Sequence, residues 1–305
     1  MAMETQAVAA SDAELGLALS DKPRGMFVRA WEVFAENKLA IAGLGFVVFI
    51  VLFCFAGPHL YVTDQVNTQL DNYLCTPGGS HLLGCDELGY DEVGRLMVGG
   101  QTSLEVGLAA AIVSVFIGTI YGAISGFAGG IVDSIMMRVV DAGLSLPSLM
   151  VIIILSVIFH PTPVVIVFII AVFYWFGVAR LVRGETLTLR TREYVQAVKV
   201  VGGRPMRAVL RHIVPNAIGT IIVQATFAVA DSILTLSVLG FLTLGVAPPA
   251  TDWGSMLSGG LQFLQGGNYW WLIYPPGVLI VLTCISFNFI GDALRDAFET
   301  RLQRR

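Results

Sequence analysis

The chain has 305 residues, of which 55% are hydrophobic and only 13% charged, with a net charge of −4 and a mean hydropathy of +0.76. Soluble domains carry about 25% charged residues, so this chain has too little charge to cover a water-soluble globule of its size. The same numbers exclude a disordered chain, and four cysteines are too few for a disulfide scaffold.

Residues 1–38 form a polar leader whose first dozen or so residues read as disordered. No cleavable signal peptide is apparent, because the first apolar run begins near residue 39 and is span-length. Phe27, Trp31 and Phe34 lie among charges within 26–38. They suit an interfacial amphipathic helix or, equally, a solvated tail. A spanning helix needs about 20 predominantly apolar residues. Charge-free runs cover Leu39 to Gly57, Val106 to Val132 and Ala142 to Ala179. The third is interrupted by His160-Pro161-Thr162-Pro163, which reads as a turn, leaving spans near 137–159 and 164–181. Ile213 to Ala230 continues past Asp231 toward Val246. Tyr269 to Gly291 has Trp270, Trp271 and Tyr274 at its start, where an aromatic belt belongs. The expectation is an all-α membrane protein with six transmembrane helices. Residues 39–100 hold the first span and an external loop, and residues 101–305 a five-helix core.

With both termini cytoplasmic, 17 of the 18 Lys and Arg residues fall inside and only Arg95 outside. Arg138 then sits in the short turn after span two. The positive-inside rule selects this orientation. The loop from about Pro58 to Gly100 is acidic, which suits cationic solutes or simply reflects the scarcity of Lys and Arg outside. Cys75 and Cys85 both fall in it and could close a small loop in an oxidising compartment or stay reduced and packed separately. Cys54 and Cys284 lie in apolar spans and read as packing residues. Around Gly245 to Asn268 the chain is loop-like, with one short helix near Trp253 to Ser258.

The histidines at 59, 81, 160 and 212 share no ligand-like spacing, so no metal site is expected. No nucleotide-binding or hydrolytic motif is present. Asp231 is an acidic residue well inside an apolar run, a functional candidate by default. Counted from Ile213 it lies about 27 Å along the helix, near the outer interface. That favours a water-facing structural or gating role over direct substrate contact.

The segment 183–216 is too long for a simple connector. Tyr194, Ala197, Val198 and Val201 share one helix face, within a helix expected over about 188–201. Gln196 and Lys199 lie on the other side. Gly202-Gly203 supplies a stop, Arg204-Pro205 restarts the helix, and Pro215 precedes span five. The result is a helix–turn–helix whose small apolar stripe suits a partner's groove or this chain's own helices.

Gln196-Ala197-Val198, Gly202 and Val214-Pro215 resemble the E-A-A-x(3)-G-x(9)-I-x-L-P loop of bacterial binding-protein-dependent ABC importer permeases. More narrowly, the chain resembles the dipeptide/oligopeptide/nickel branch. His81 to Gly89 resembles its H-P-L-G-T-D-x-x-G segment. Asp133, Met137-Arg138 and Asp141 to Pro147 resemble its D-x(3)-M-R-x-x-D-x(5)-P stretch. Arg211 to Asn216 is close to its R-H-I-L-P-N. Gln196, Val198, Cys85 and Tyr90 depart from the pattern without changing its spacing. The resemblance implies a type I importer permease fold in the bacterial cytoplasmic membrane. It also implies a second homologous permease, two ATPase subunits that bind ATP and Mg, and an extracytoplasmic substrate-binding protein. This chain itself would be no enzyme and hold no cofactor, and nucleic acid is not among its partners. Tyr194, Gln196, Ala197, Val198, Gly202, Gly203, Pro205 and Pro215 would form the coupling element. Arg138, Asp141 and Asp231 are gating or structural candidates. Short peptides are the expected cargo, with nickel chelates or other small solutes as alternatives. A stand-alone secondary transporter or a membrane scaffold is the rival class.

Overall fold

The computed structural model describes residues 26–303 apart from 80, 160–161, 201–206, 208 and 264–266. The main helices are α1 (Met26–Glu36), α2 (Lys38–Phe55), α3 (Glu92–Ala128), α4 (Gly130–Ser145), α5 (Ser148–Ile158), α6 (Pro163–Leu189), α7 (Glu193–Val200), α8 (Ile218–Phe241), α9 (Trp253–Leu261) and α10 (Tyr274–Gln303). Five stretches are long and apolar enough to cross a membrane: α2, α3, α6, α8 and the one containing α10. The pair α4–α5 passes the same test only as a broken span, bent by 81°. The expected third span over 137–159 is therefore corrected to two helices, and Arg138 lies within α4 rather than in a turn. The cause is local. Pro147 has no N–H to donate, and the residue before a proline is pushed out of the helical region. Leu146 is accordingly extended, at φ −84° and ψ 138°.

Sequence-encoded caps set the other boundaries. The Asn37 side chain accepts from Leu39 N and Ala40 N at 3.0 and 3.2 Å, separating α1 from α2. Asp91 caps α3 by accepting from Gly94 N at 3.0 Å, and α3 stops at Gly129, whose φ of +67° suits glycine. Helix α3 has 37 residues, about 55 Å of helix, and so extends well beyond a hydrocarbon core of about 30 Å. Helix α8 starts at Ile218, later than expected, because Val209–Ile213 forms a π turn and Val214–Asn216 a separate short helical turn.

The bundle is built on α3 and α6. Gly118, Gly122 and Gly126 recur every four residues along α3 and let the α6 backbone approach. A Cβ on Gly118 would lie 2.6 Å from Val178 Cβ and 2.8 Å from Trp175 O, and one on Gly126 2.9 Å from Arg183 O. Small residues at this spacing are a membrane helix-packing device. Helix α8 packs on α3, α6, α9 and α10. Trp253 is fully buried. It donates from Nε1 to Leu96 O at 3.0 Å and from its backbone N to Ser103 Oγ at 3.3 Å, pinning α9 to α3. Helix α1 forms where an amphipathic helix or a tail was expected. Trp31 is exposed while Phe34 is buried with Ala40, Ile290 and Ala293, joining α1 to α2 and α10.

The loop over residues 61–91 is tied down at several points. Cys75 and Cys85 form a disulfide with Cα atoms 4.8 Å apart. Asp91 Oδ2 accepts from Tyr61 OH and lies 2.9 Å from His81 Nδ1. Trp271 is buried and donates to Cys85 O at 3.3 Å. It anchors this loop instead of joining an aromatic belt, while Trp270 and Tyr274 are exposed.

Candidate coupling site and translocation face

At the end of the bundle opposite the disulfide loop, α3, α4 and α6 are joined by a partly buried ion pair. Arg183 donates from Nε and Nη2 to the two carboxylate oxygens of Asp133 at 2.6 and 2.7 Å, and Ser125 Oγ donates to Asp133 Oδ1 at 2.5 Å. Two turns on from Arg183, Arg190 Nη1 donates to Gly126 O at 2.9 Å. Arg180 pairs with Asp141 at 2.6 Å on the exposed rim. Asp141 thus acquires an ion-pair role, whereas Arg138 is exposed on α4. A bidentate Arg–carboxylate pair fixes orientation as well as charge. The D-x(3)-M-R motif singles out Asp133, but no local pattern names Arg183, fifty positions later.

Helix α7 hangs from this cluster. The chain leaves α6 at Leu189, turns through 190–192 and re-enters helix at Glu193, later than the expected start near 188. Gln196 Nε2 donates to Arg190 O at 3.0 Å. Val195 is fully buried in the core shared with Val209 and Ile213, while Tyr194 is exposed. Among the described side chains of α7, Val195 is the buried one. Ala197 and Val198 lie within α7. Gly202, Gly203 and Pro205 fall outside the described residues, as do the disordered leader expected at the N-terminus and His160-Pro161. Pro215 is exposed in the Val214–Asn216 turn.

Asp231 stands thirteen residues after Ile218 and ten before Phe241, near the middle of α8. Beside it, Tyr174 OH is 2.6 Å from Thr235 Oγ1 and 3.4 Å from the Asp231 carbonyl oxygen. Sequence reasoning did not pick out Tyr174 or Thr235.

At the other end, Asp252 is fully buried and caps α9, accepting from Gly254 N and Ser255 N at 2.9 and 3.0 Å. Burial pushes its carboxyl up to about 6, against the lowering effect of those hydrogen bonds. Sequence reasoning did not pick out this cap, for which the D-x-x-S spacing is the local signal. A cavity of about 290 Å³ opens between residues 86–95 and 240–262, walled by Asp86, Glu87, Glu92 and Arg95. Cys75, His81 and Cys85 bring their ligand atoms within 4.8 Å of one another, but the two sulfurs are bonded together and His81 is engaged with Asp91.

Long apolar helices around a glycine-packed pair, one bent helix pair and a charge-linked helix at one end define an all-α, multi-spanning membrane protein. The chain belongs to the binding-protein-dependent transport system inner membrane component family, whose pattern matches residues 118–304. Residues 25–76 match the N-terminal transmembrane domain of oligopeptide transport permease C. The chain is 39% identical to the dipeptide transport system permease protein DppC of Bacillus subtilis over 275 residues, covering 90% of this chain and 86% of that one. It is 38% identical to the oligopeptide transport system permease protein OppC of the same organism, covering 99% and 97%. It is also 38% identical to OppC of Escherichia coli K12, covering 91% and 92%. It is accordingly a multi-spanning inner-membrane permease subunit, one component of a larger importer, and not an enzyme.

Proposed function

We propose that this permease carries short peptides inward and is driven by separate ATPase subunits. The observation that carries this reading is identity of 38–39% to dipeptide and oligopeptide permeases along nearly the whole chain. Both termini lie in the cytoplasm, residues 183–212 face it, and residues 60–98 and 246–268 face outward. The charge distribution supports this topology. A second homologous permease completes the path, two ATPase subunits bind below, and an extracytoplasmic binding protein docks above and delivers the peptide. Helix α7 and the 201–206 segment form the coupling element. Closure of the ATPases moves α7, and the hydrogen bonds from Gln196 and Arg190 carry that movement to α3 and α6.

The test is peptide uptake together with pull-down of the ATPase subunits, at matched expression. Gly202→Asp and Ala197→Glu should abolish both, and Lys199→Gln should be mild. An unpaired charge in a partner's groove costs several kcal/mol, and about 1.4 kcal/mol is tenfold in occupancy. Normal ATPase binding and uptake in both charged variants would sink the coupling assignment. Impermeant thiol reagents on intact cells test the topology, with labelling expected at an introduced cysteine at 70 and none at 190.

A further inference from the structure

Helix α8 is the most enclosed of the spans, packed by α3, α6, α9 and α10. Between Phe227 and Phe241 its residues are buried except Phe227, Asp231, Leu234, Val238 and Phe241. These recur at intervals of four and three, so α8 keeps one narrow open stripe along its length. Asp231 lies in the middle of that stripe and is the sole charged residue of α8. Among the described residues no hydrogen bond or ion pair holds its carboxylate. The hydroxyls of Tyr174 and Thr235 lie within one turn of it.

A carboxylate at mid-span is costly against hydrocarbon and is tolerated where it meets water or a cation. A lipid-facing helix presents a broad apolar face, whereas α8 presents a narrow stripe with a charge at its centre. We propose that this stripe lines the translocation path and that Asp231 receives the ammonium group of the solute that passes. The inference rests on the permease reading, since it requires a path, and it adds a chemical selection at mid-membrane. A free amino terminus brings one positive charge and three N–H donors to a site that offers a carboxylate and two hydroxyl oxygens. Anionic solutes are repelled at the same point.

The experiment uses the complete importer in membrane vesicles with Leu234→Cys, one turn from Asp231, and the chain without this cysteine as background. The probes are a trimethylammonium and a sulfonate methanethiosulfonate, with rates normalised to a free thiol. The cationic reagent should react about tenfold faster than the anionic one. Asp231→Asn should bring the ratio toward one, and Asp231→Glu should preserve the preference. Equal rates with Asp231 present would overturn the proposal. So would an introduced thiol closed to both reagents in every nucleotide condition, because the stripe would then lie against lipid or the second permease. Peptide uptake by the unmodified importer is measured separately. Charge preference without peptide uptake would still support the role of Asp231 while removing the peptide reading.

Discussion

Replacing Gly118 by alanine adds one carbon at the α3–α6 contact. That carbon would lie 2.6 Å from Val178 Cβ and 2.8 Å from Trp175 O, whereas carbon contacts are best at about 3.5–4.0 Å. The oxygen belongs to the α6 backbone and cannot rotate away, so the helices must part by about 1 Å. A gap of that size forfeits up to about half of each dispersion contact, at about 0.1–0.2 kcal/mol per atom pair. Over about thirty pairs along the glycine stripe the loss is about 2–3 kcal/mol. Alanine returns at most about 1 kcal/mol in helix propensity, so the net cost is about 1–2 kcal/mol. Gly45 on α2 is the control, since a Cβ there meets no atom within 4 Å. Gly45→Ala should be neutral or stabilising by up to about 1 kcal/mol. The two variants should thus differ by about 2 kcal/mol in denaturant unfolding of the purified chain in micelles. Equal stability of the two would refute the idea that backbone approach at the stripe holds α3 to α6.

The Asp133–Arg183 pair should show strong non-additivity. With Asp133 nearly buried and Arg183 about one-third exposed, a double-mutant cycle to alanine should yield a coupling of about 2 kcal/mol, and additivity within about 0.5 kcal/mol would reject the clamp. For Asp252 the sign runs against the usual carboxylate. Its folded value of about 6 exceeds the free value of about 3.9, so stability falls as pH rises from 4 through 6 and is flat above. Asp252→Asn keeps the capping oxygen, and its stability relative to the parent should rise by about 2 kcal/mol between pH 4 and 7. A difference constant across that range would count against the buried carboxylate. Opening the Cys75–Cys85 ring should cost about 2–3 kcal/mol, and mass spectrometry finding two free thiols in the unreduced protein would remove the bond.

Most spans were legible because a bilayer demands long charge-free runs, and α2, α6 and α10 lie close to theirs. The third span misled because Leu146-Pro147 sits inside such a run, and hydropathy carries no information about backbone direction. The start of α8 at Ile218 differs from the expectation for a related reason. The apolar run was counted from Ile213, yet Val209–Ile213 forms a π turn and Val214–Asn216 a short helical turn. The Asp133–Arg183 pair is a long-range contact that local patterns do not encode. On α7 the burial of Val195 depends on where Val209 and Ile213 return to meet it.

Helix α6 runs unbroken for 27 residues, a rod of about 40 Å with α7 joined to its end. A sideways shift of about 2 Å at that end, the scale of helix movements at subunit interfaces, is a rotation of only about 3 degrees over this length. Because the glycine stripe leaves α3 no clearance from α6, the two would swing as a single beam. The hinge of the chain would then fall where its backbone is already discontinuous, at Gly129-Gly130 and at Leu146-Pro147.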